Sequence, residues 1–317
     1  MTKRFFLLLT FLSSFYIVKG QDDTPLSKER IIQLYDSLYA SSEINGIDWN
    51  GNIKKCIPGD LPGSLYLKAQ NRINFFRLVN GLSPVQNNPD LNTDAQNAAL
   101  LIKANNVLTH SPKSSMKCYS ESASNGCRKS CIALTNWDYF KKTAFISGFI
   151  WDYGESNYSV GHRRWLLYSK LAVFGYGATN TSETVLTVDG IDYNLKSAKD
   201  FIAYPWSGYV PVNLIFPKWS FSIPEGNTVD FSQVKVNMTD SKGKTIKIKL
   251  LEERKNFLDP TIVWVAKGLF SENEIQYGQN NLESNGYLDK KIKVEITGVI
   301  VNGEKKNYQY FVEPIKL

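Results

Sequence analysis

The sequence predicts an α+β protein followed by a smaller all-β part. Two observations carry this reading. Up to about residue 195, apolar residues recur at helical steps and then give way to two short strands. Beyond residue 200 the chain reads as short alternating runs separated by turn residues, as in a β-sandwich. The 317 residues suit two domains. The expected order is a signal peptide (1–20), an N-terminal extension (21–64), a layered α+β domain (65–195) and a β-sandwich (200–317).

The chain begins with Lys3 and Arg4, an apolar run over 5–18, and the small residues Val18 and Gly20 ahead of Gln21. That pattern is a secretory signal cut before Gln21. The apolar run is shorter than the roughly 20 residues that span a bilayer. No later stretch is long and apolar enough to span, so no stable membrane insertion is expected after cleavage. In 64–82, Leu67, Ile73, Phe76 and Val79 fall at helical steps, and Gly81 stops the helix. In 92–110, Thr93 and Gln96 read as a capping box, and Ala95, Ala98, Ile102 and Asn105 share a face. Alanines on that face predict close packing against another element. A third helix is expected over 138–150 and a short one from Gly161. Buried strands follow over 171–179 and 183–190. After Tyr204 come six candidate strands, with Asn302-Gly303 as a hairpin turn.

The formal net charge is +7, and loss of residues 1–20 lowers it to +4, spread along the chain. A nucleic-acid surface would concentrate that charge in a stripe, so no nucleic-acid partner is expected. P-loop, dinucleotide, lipase-elbow and zincin motifs are all missing. In a secreted chain, Cys56, Cys118, Cys127 and Cys131 suit two disulfides better than a metal cage. Of three pairings, Cys56 with Cys118 and Cys127 with Cys131 is favoured. Asn157, Asn180 and Asn237 head glycosylation sequons.

The chain has two histidines, His110 and His162, with Glu121, Asp152 and Glu155 as the acids closest in sequence. Imidazoles and carboxylates suit a zinc site or general acid–base work near neutral pH. The plainer alternative is a histidine capping backbone carbonyls or bonded to an acid for burial alone. Arg163 and Arg164 could bind an anion, although such arginines more often pair with acids of the same fold.

The segments "NRINFFRLVNGLSPV", "LNTDAQNAALLIKANNVLTHSP" and "VGHRRWLLYSKLAVFGYG", in that order, resemble the CAP superfamily (cysteine-rich secretory proteins, antigen 5 and pathogenesis-related proteins), in its bacterial-type SCP-like branch. The flanks "CIPGDLPG" and "KCYSESAS" resemble one subgroup and support Cys56–Cys118. The resemblance implies a three-layer α-β-α sandwich with two histidines and two acids lining a central cavity. His110 and His162 match the histidines; Glu121 is a loose match to one acid, and Asp152, ahead of Glu155, to the other. From Tyr204 the chain is similar to an immunoglobulin-like sandwich that accompanies this subgroup. The function implied is a secreted, non-enzymatic binding module for a small apolar ligand (lipid or sterol) or a protein partner, with zinc between the two histidines. The alternatives are a hydrolase acting on peptide or cell-wall material through the His/acid cavity, and a surface-assembly protein.

Overall fold

A computed structural model describes residues 24–135, 145–251, 257–277 and 280–317. The expected signal peptide lies outside the described residues, as does the expected third helix up to residue 144. Helix α1 (Lys28–Leu34) starts behind Ser27, whose hydroxyl accepts the Arg30 N–H. Helix α2 (Gly63–Val79) buries Leu65, Ala69, Ile73, Phe75, Phe76 and Val79. Leu67, expected on that face, is 56% exposed. Strand β1 (Gln86–Asn87) leads into α3 (Pro89–Asn105), then α4 (Glu121–Lys129) and β2 (Ser130–Leu134). Short helices α5 (Ser147–Trp151) and α6 (Gly161–Leu166) precede β3 (Val173–Ala178) and β4 (Ser182–Leu186).

Helix α3 begins before the expected capping box. Its cap is Asn88, whose side chain accepts the Asp90 N–H, with Pro89 in the first turn. Gln96 instead spans layers: its amide exchanges hydrogen bonds of 2.8 and 3.0 Å with the backbone of Ala178.

The first sheet runs β1-β3-β4-β2, with β1 parallel to β3 and the other pairs antiparallel. Its two faces follow the period of two along each strand. Helix α3 lies so close to one face that a Cβ on Gly177 would sit 2.3 Å from the Ala95 carbonyl carbon. Thr184 Oγ1 and Ser182 Oγ donate to Ala95 O and Ala99 O there, both at 2.7 Å. The other face carries Tyr176, whose ring meets Tyr66 of α2 and Phe145 just before α5 edge-on. The result is a three-layer α-β-α sandwich.

The rest of the chain is β5 (Ile202–Tyr204), β6 (Gly208–Pro211), β7 (Lys218–Ser222), β8 (Val229–Asp230), β9 (Lys235–Thr239), β10 (Lys249–Leu250), β11 (Thr261–Val265), α7 (Glu272–Tyr277), β12 (Ile292–Val301) and β13 (Glu304–Ile315). One antiparallel sheet runs β10-β11-β7-β5; the other runs β6-β13-β12-β8, with β9 also on β12. They face each other through Phe221 and Tyr308, ring centroids 5.0 Å apart, and through Trp264 and Met238. These strands are consistent with an immunoglobulin-like sandwich. Asn302 and Gly303 both have positive φ, as the expected hairpin turn requires. One apolar cluster joins both parts of the chain: Phe75 and Phe76 of α2 touch Trp206 and Tyr204.

Cys56 and Cys118 form a disulfide, closing a loop of 62 residues. The expected pairing of Cys127 with Cys131 is corrected: both are free and buried. Cys127 on α4 packs with Ala98, Leu101 and Ile102 of α3, whereas Cys131 points from β2 into the core on the opposite face. A sheet separates the two sulfurs. Burial pushes the Cys127 thiol up to about 11 and that of Cys131 well above its usual value. A thiol-reactive dye should therefore label no cysteine in the folded protein and two after unfolding without reductant. Zero after unfolding would mean a second disulfide.

Candidate functional site

The face of the first sheet turned away from α3 opens into a pocket of about 320 Å³. Its walls are mainly apolar, with Ala133, Leu134, Phe145 and Phe149 among them, and the acids and imidazole that line it are Asp152, Glu183 and His162.

Asp152 ends α5 in a left-handed conformation (φ 54°) that carries its carboxylate back under the first turn of α6. Oδ2 accepts the backbone N–H of His162 at 2.9 Å and that of Arg163 at 3.4 Å. Oδ1 lies 2.9 Å from His162 Nδ1. A carboxylate can only accept there, so Nδ1 carries the hydrogen and Nε2 is left as the acceptor. Nε2 has no partner among the described residues. The Asp152 side chain is fully buried, while that of His162 is 25% exposed. Phe149 flanks the imidazole at 5.3 Å.

Glu183 is the site residue that the motif search missed. Its β4 position places it on the same face as Val185, opposite Ala133 and Ala178. Oε1 accepts the Tyr176 hydroxyl at 3.0 Å and the Ile146 N–H at 3.4 Å. Oε2 has no partner among the described residues. Burial is the main influence on this carboxyl and raises it from 4.5 to about 7, against the opposing pull of those two donors and the Arg72 charge. The available signal was a lone acid at an inward-facing position of a Val/Leu strand.

The other expected site residues lie elsewhere. His110 is exposed, and its Nδ1 donates to Cys127 O of α4 at 2.7 Å. Glu121 is exposed at the start of α4 and accepts the Tyr119 hydroxyl. Glu155 is exposed too. None of the three lines the pocket. The preceding loop is pinned by the Cys56–Cys118 bond and by Asn105, which exchanges two hydrogen bonds with Lys117. Among the described residues no three His, Cys, Asp or Glu side chains are placed to hold a metal. With one imidazole in the pocket and Asp152 already bound to it, the donor set does not fit zinc between His110 and His162.

Buried cations hold the pocket wall in place. Arg72 on α2 donates to Tyr39 O, Ser42 Oγ and Ser147 Oγ, tying the N-terminal segment to the start of α5. Arg77 donates to four backbone carbonyls, among them Leu166 O at the end of α6. Arg163 donates to Ile150 O and Trp151 O on α5 and to Lys218 O and Ser220 Oγ on β7. These arginines answer carbonyls and hydroxyls, not the acids expected of Arg163. Lys218 sends its ammonium back into the loop, to Asp152 O at 2.9 Å, Gly154 O at 2.6 Å and Asn157 O at 2.9 Å. Burial lowers it to about 8.

Residues 70–189 match the model of the cysteine-rich secretory protein family, CAP, and this segment is a CAP domain. The match covers all four strands of the first sheet and both walls of the pocket. No curated protein matches the chain. Among the described residues no helix is long and apolar enough to cross a membrane.

Replacing Lys218 by Ala should lower the unfolding free energy by on the order of 3 kcal/mol, because three inward carbonyls lose a charged donor. Chemical denaturation measures this. A change below a few tenths would show that water replaces the ammonium. Glu183 gives a pH signature. The folded protein keeps its proton to higher pH than the unfolded chain does, so the carboxyl costs stability as pH rises from 4.5 to about 7. Glu183→Gln should therefore raise the melting temperature relative to wild type at pH 8 and not at pH 4.5. Equal shifts at both values would place the carboxyl in its ordinary range.

Proposed function

We propose that this CAP-domain chain is a secreted binding protein that takes a small, mainly apolar molecule with one polar end. The observation that carries the reading is the pocket. Its size falls at the low end of the roughly 300–1,000 Å³ typical of ligand sites, which combine apolar walls with a few converging polar groups. Two such groups, His162 Nε2 and Glu183 Oε2, are left without partners among the described residues there. Desolvating them leaves hydrogen-bonding capacity that a ligand can answer. The disulfide, the signal-like leader and the CAP domain support an extracellular setting. Asn180 and Asn237 are exposed and open to glycosylation, whereas Asn157 is half-buried with its side chain bonded to Tyr153 O.

The neutral dye N-phenylnaphthylamine tests the reading. It should bind one-to-one with enhanced fluorescence, and Ala133→Phe, which fills the pocket from β2, should abolish binding without lowering the melting temperature by more than a few degrees. Unchanged binding in that variant would place the apolar site elsewhere.

The Asp152–His162 pair favours a second reading, a hydrolase in which Nε2 accepts the proton of an attacking water. Cleavage of a peptide or cell-wall fragment that disappears in His162→Ala would replace the binding reading with this one.

A further inference from the structure

The pocket's charges and rings select among ligand classes. Among the described residues no Lys or Arg lines it; the acids and imidazole that do are Asp152, Glu183 and His162. The Asp152 charge is already met by the imidazole N–H and two backbone N–H groups. Among the described residues Glu183 has only neutral donors, both on Oε1. The guanidinium whose charge acts on Glu183, Arg72, is committed to Tyr39, Ser42, Phe145 and Ser147. The aromatic residues Phe145, Phe149 and Tyr153 line the same space. Ring faces attract cations, most strongly where water is excluded. An acid with one free oxygen among aromatic rings, and no fixed cation beside it, is the chemistry that recognises an ammonium group.

We propose that the pocket takes a small aryl- or alkylamine, with the ammonium on Glu183 Oε2 and the apolar body against the phenyl rings. This rests on the reading of the pocket as a binding site and specifies its occupant. Among the described residues, a carboxylate ligand would meet two acids and no fixed cation. An alcohol would hydrogen-bond but leave the Glu183 charge uncompensated.

The groups facing Glu183 are the Tyr176 hydroxyl from β3, the Ile146 N–H ahead of α5, and the Arg72 charge from α2. Asp152 and His162 share the pocket. Tyr176 is pushed well above its usual range by burial and stays neutral. An ammonium binds the ionised carboxyl, so its apparent affinity follows the ionised fraction of Glu183. With that carboxyl at about 7, the fraction rises about thirtyfold between pH 5.5 and pH 8.

Three probes with one body separate the classes: phenethylamine, phenethyl alcohol and phenylpropionate, titrated calorimetrically into the full disulfide-bonded protein at both pH values. The expected result is that the amine binds tightest and gains about thirtyfold from pH 5.5 to pH 8. Glu183→Gln should lose the amine preference and that gain while keeping the alcohol. Tighter binding of the alcohol or the carboxylate would overturn the amine assignment and leave the pocket a binding site. If none of the three binds, the assignment also falls, and N-phenylnaphthylamine binding decides whether the binding reading survives.

Discussion

The pocket depends on one half-buried ammonium. Lys218 belongs to β7, yet its Nζ ends among three carbonyls of the segment joining α5 to α6. That segment is strained. Asp152 and Val160 both have positive φ without being glycine, as does Ile146 just ahead of α5, at a cost of about 1–3 kcal/mol each. The strain is what swings the Asp152 carboxylate under α6 and fixes the imidazole tautomer. Arg163 closes the loop by donating to α5 on one side and to β7 on the other, so strand and hairpin hold each other. The cations meet carbonyl dipoles and leave the one buried carboxylate of this segment free to orient His162.

The second constraint is the pleat of the first sheet. Side chains alternate between a face against α3 and a face toward the pocket. The α3 face is so close that Gly177 admits no Cβ. On the other face Glu183 follows the same alternation as Val185 and Tyr176, so an acid occupies a position that the pattern otherwise fills with apolar groups. The raised carboxyl is a consequence of that register: a shift by one residue would point it at α3. The same alternation divides Cys131 from Cys127 and keeps both reduced.

Much of this was legible in the sequence. The small-residue face of α3, the helix from Gly161 and the Asn302-Gly303 turn follow from local rules, and the structure has them. The start of α3 was misplaced because a capping-box spacing outweighed Asn88-Pro89, a cap followed by a proline suited to the first turn. The site was half legible. Asp152 and His162 lie ten residues apart across one turn, within reach of local reasoning. His110 and His162 were joined only by resemblance, and the side chain of His110 turns to the carbonyl of Cys127. Glu183 had no motif to mark it, because its chemistry comes from burial. The roles of Arg72, Arg163 and Lys218 depend on contacts 30 to 75 residues away in sequence, which no local pattern contains.

The β-rich half has no histidine and no cysteine, which suggests an appendage when it is read alone. The contacts argue otherwise. Trp151 at the end of α5 stacks on Phe216, with ring centroids 5.4 Å apart. Ser169, after α6, gives both its N–H and its hydroxyl to the buried carboxylate of Asp259. Arg164 lies over the Phe257 ring. The segment that carries Asp152 and His162 is thus packed on one side by the first sheet and on the other by β7 and its neighbours. A chain ending near residue 200 would keep every residue that lines the pocket and lose the lysine that holds the Asp152–Asn157 loop. Pocket chemistry written in the first half is therefore geometrically enforced by the second.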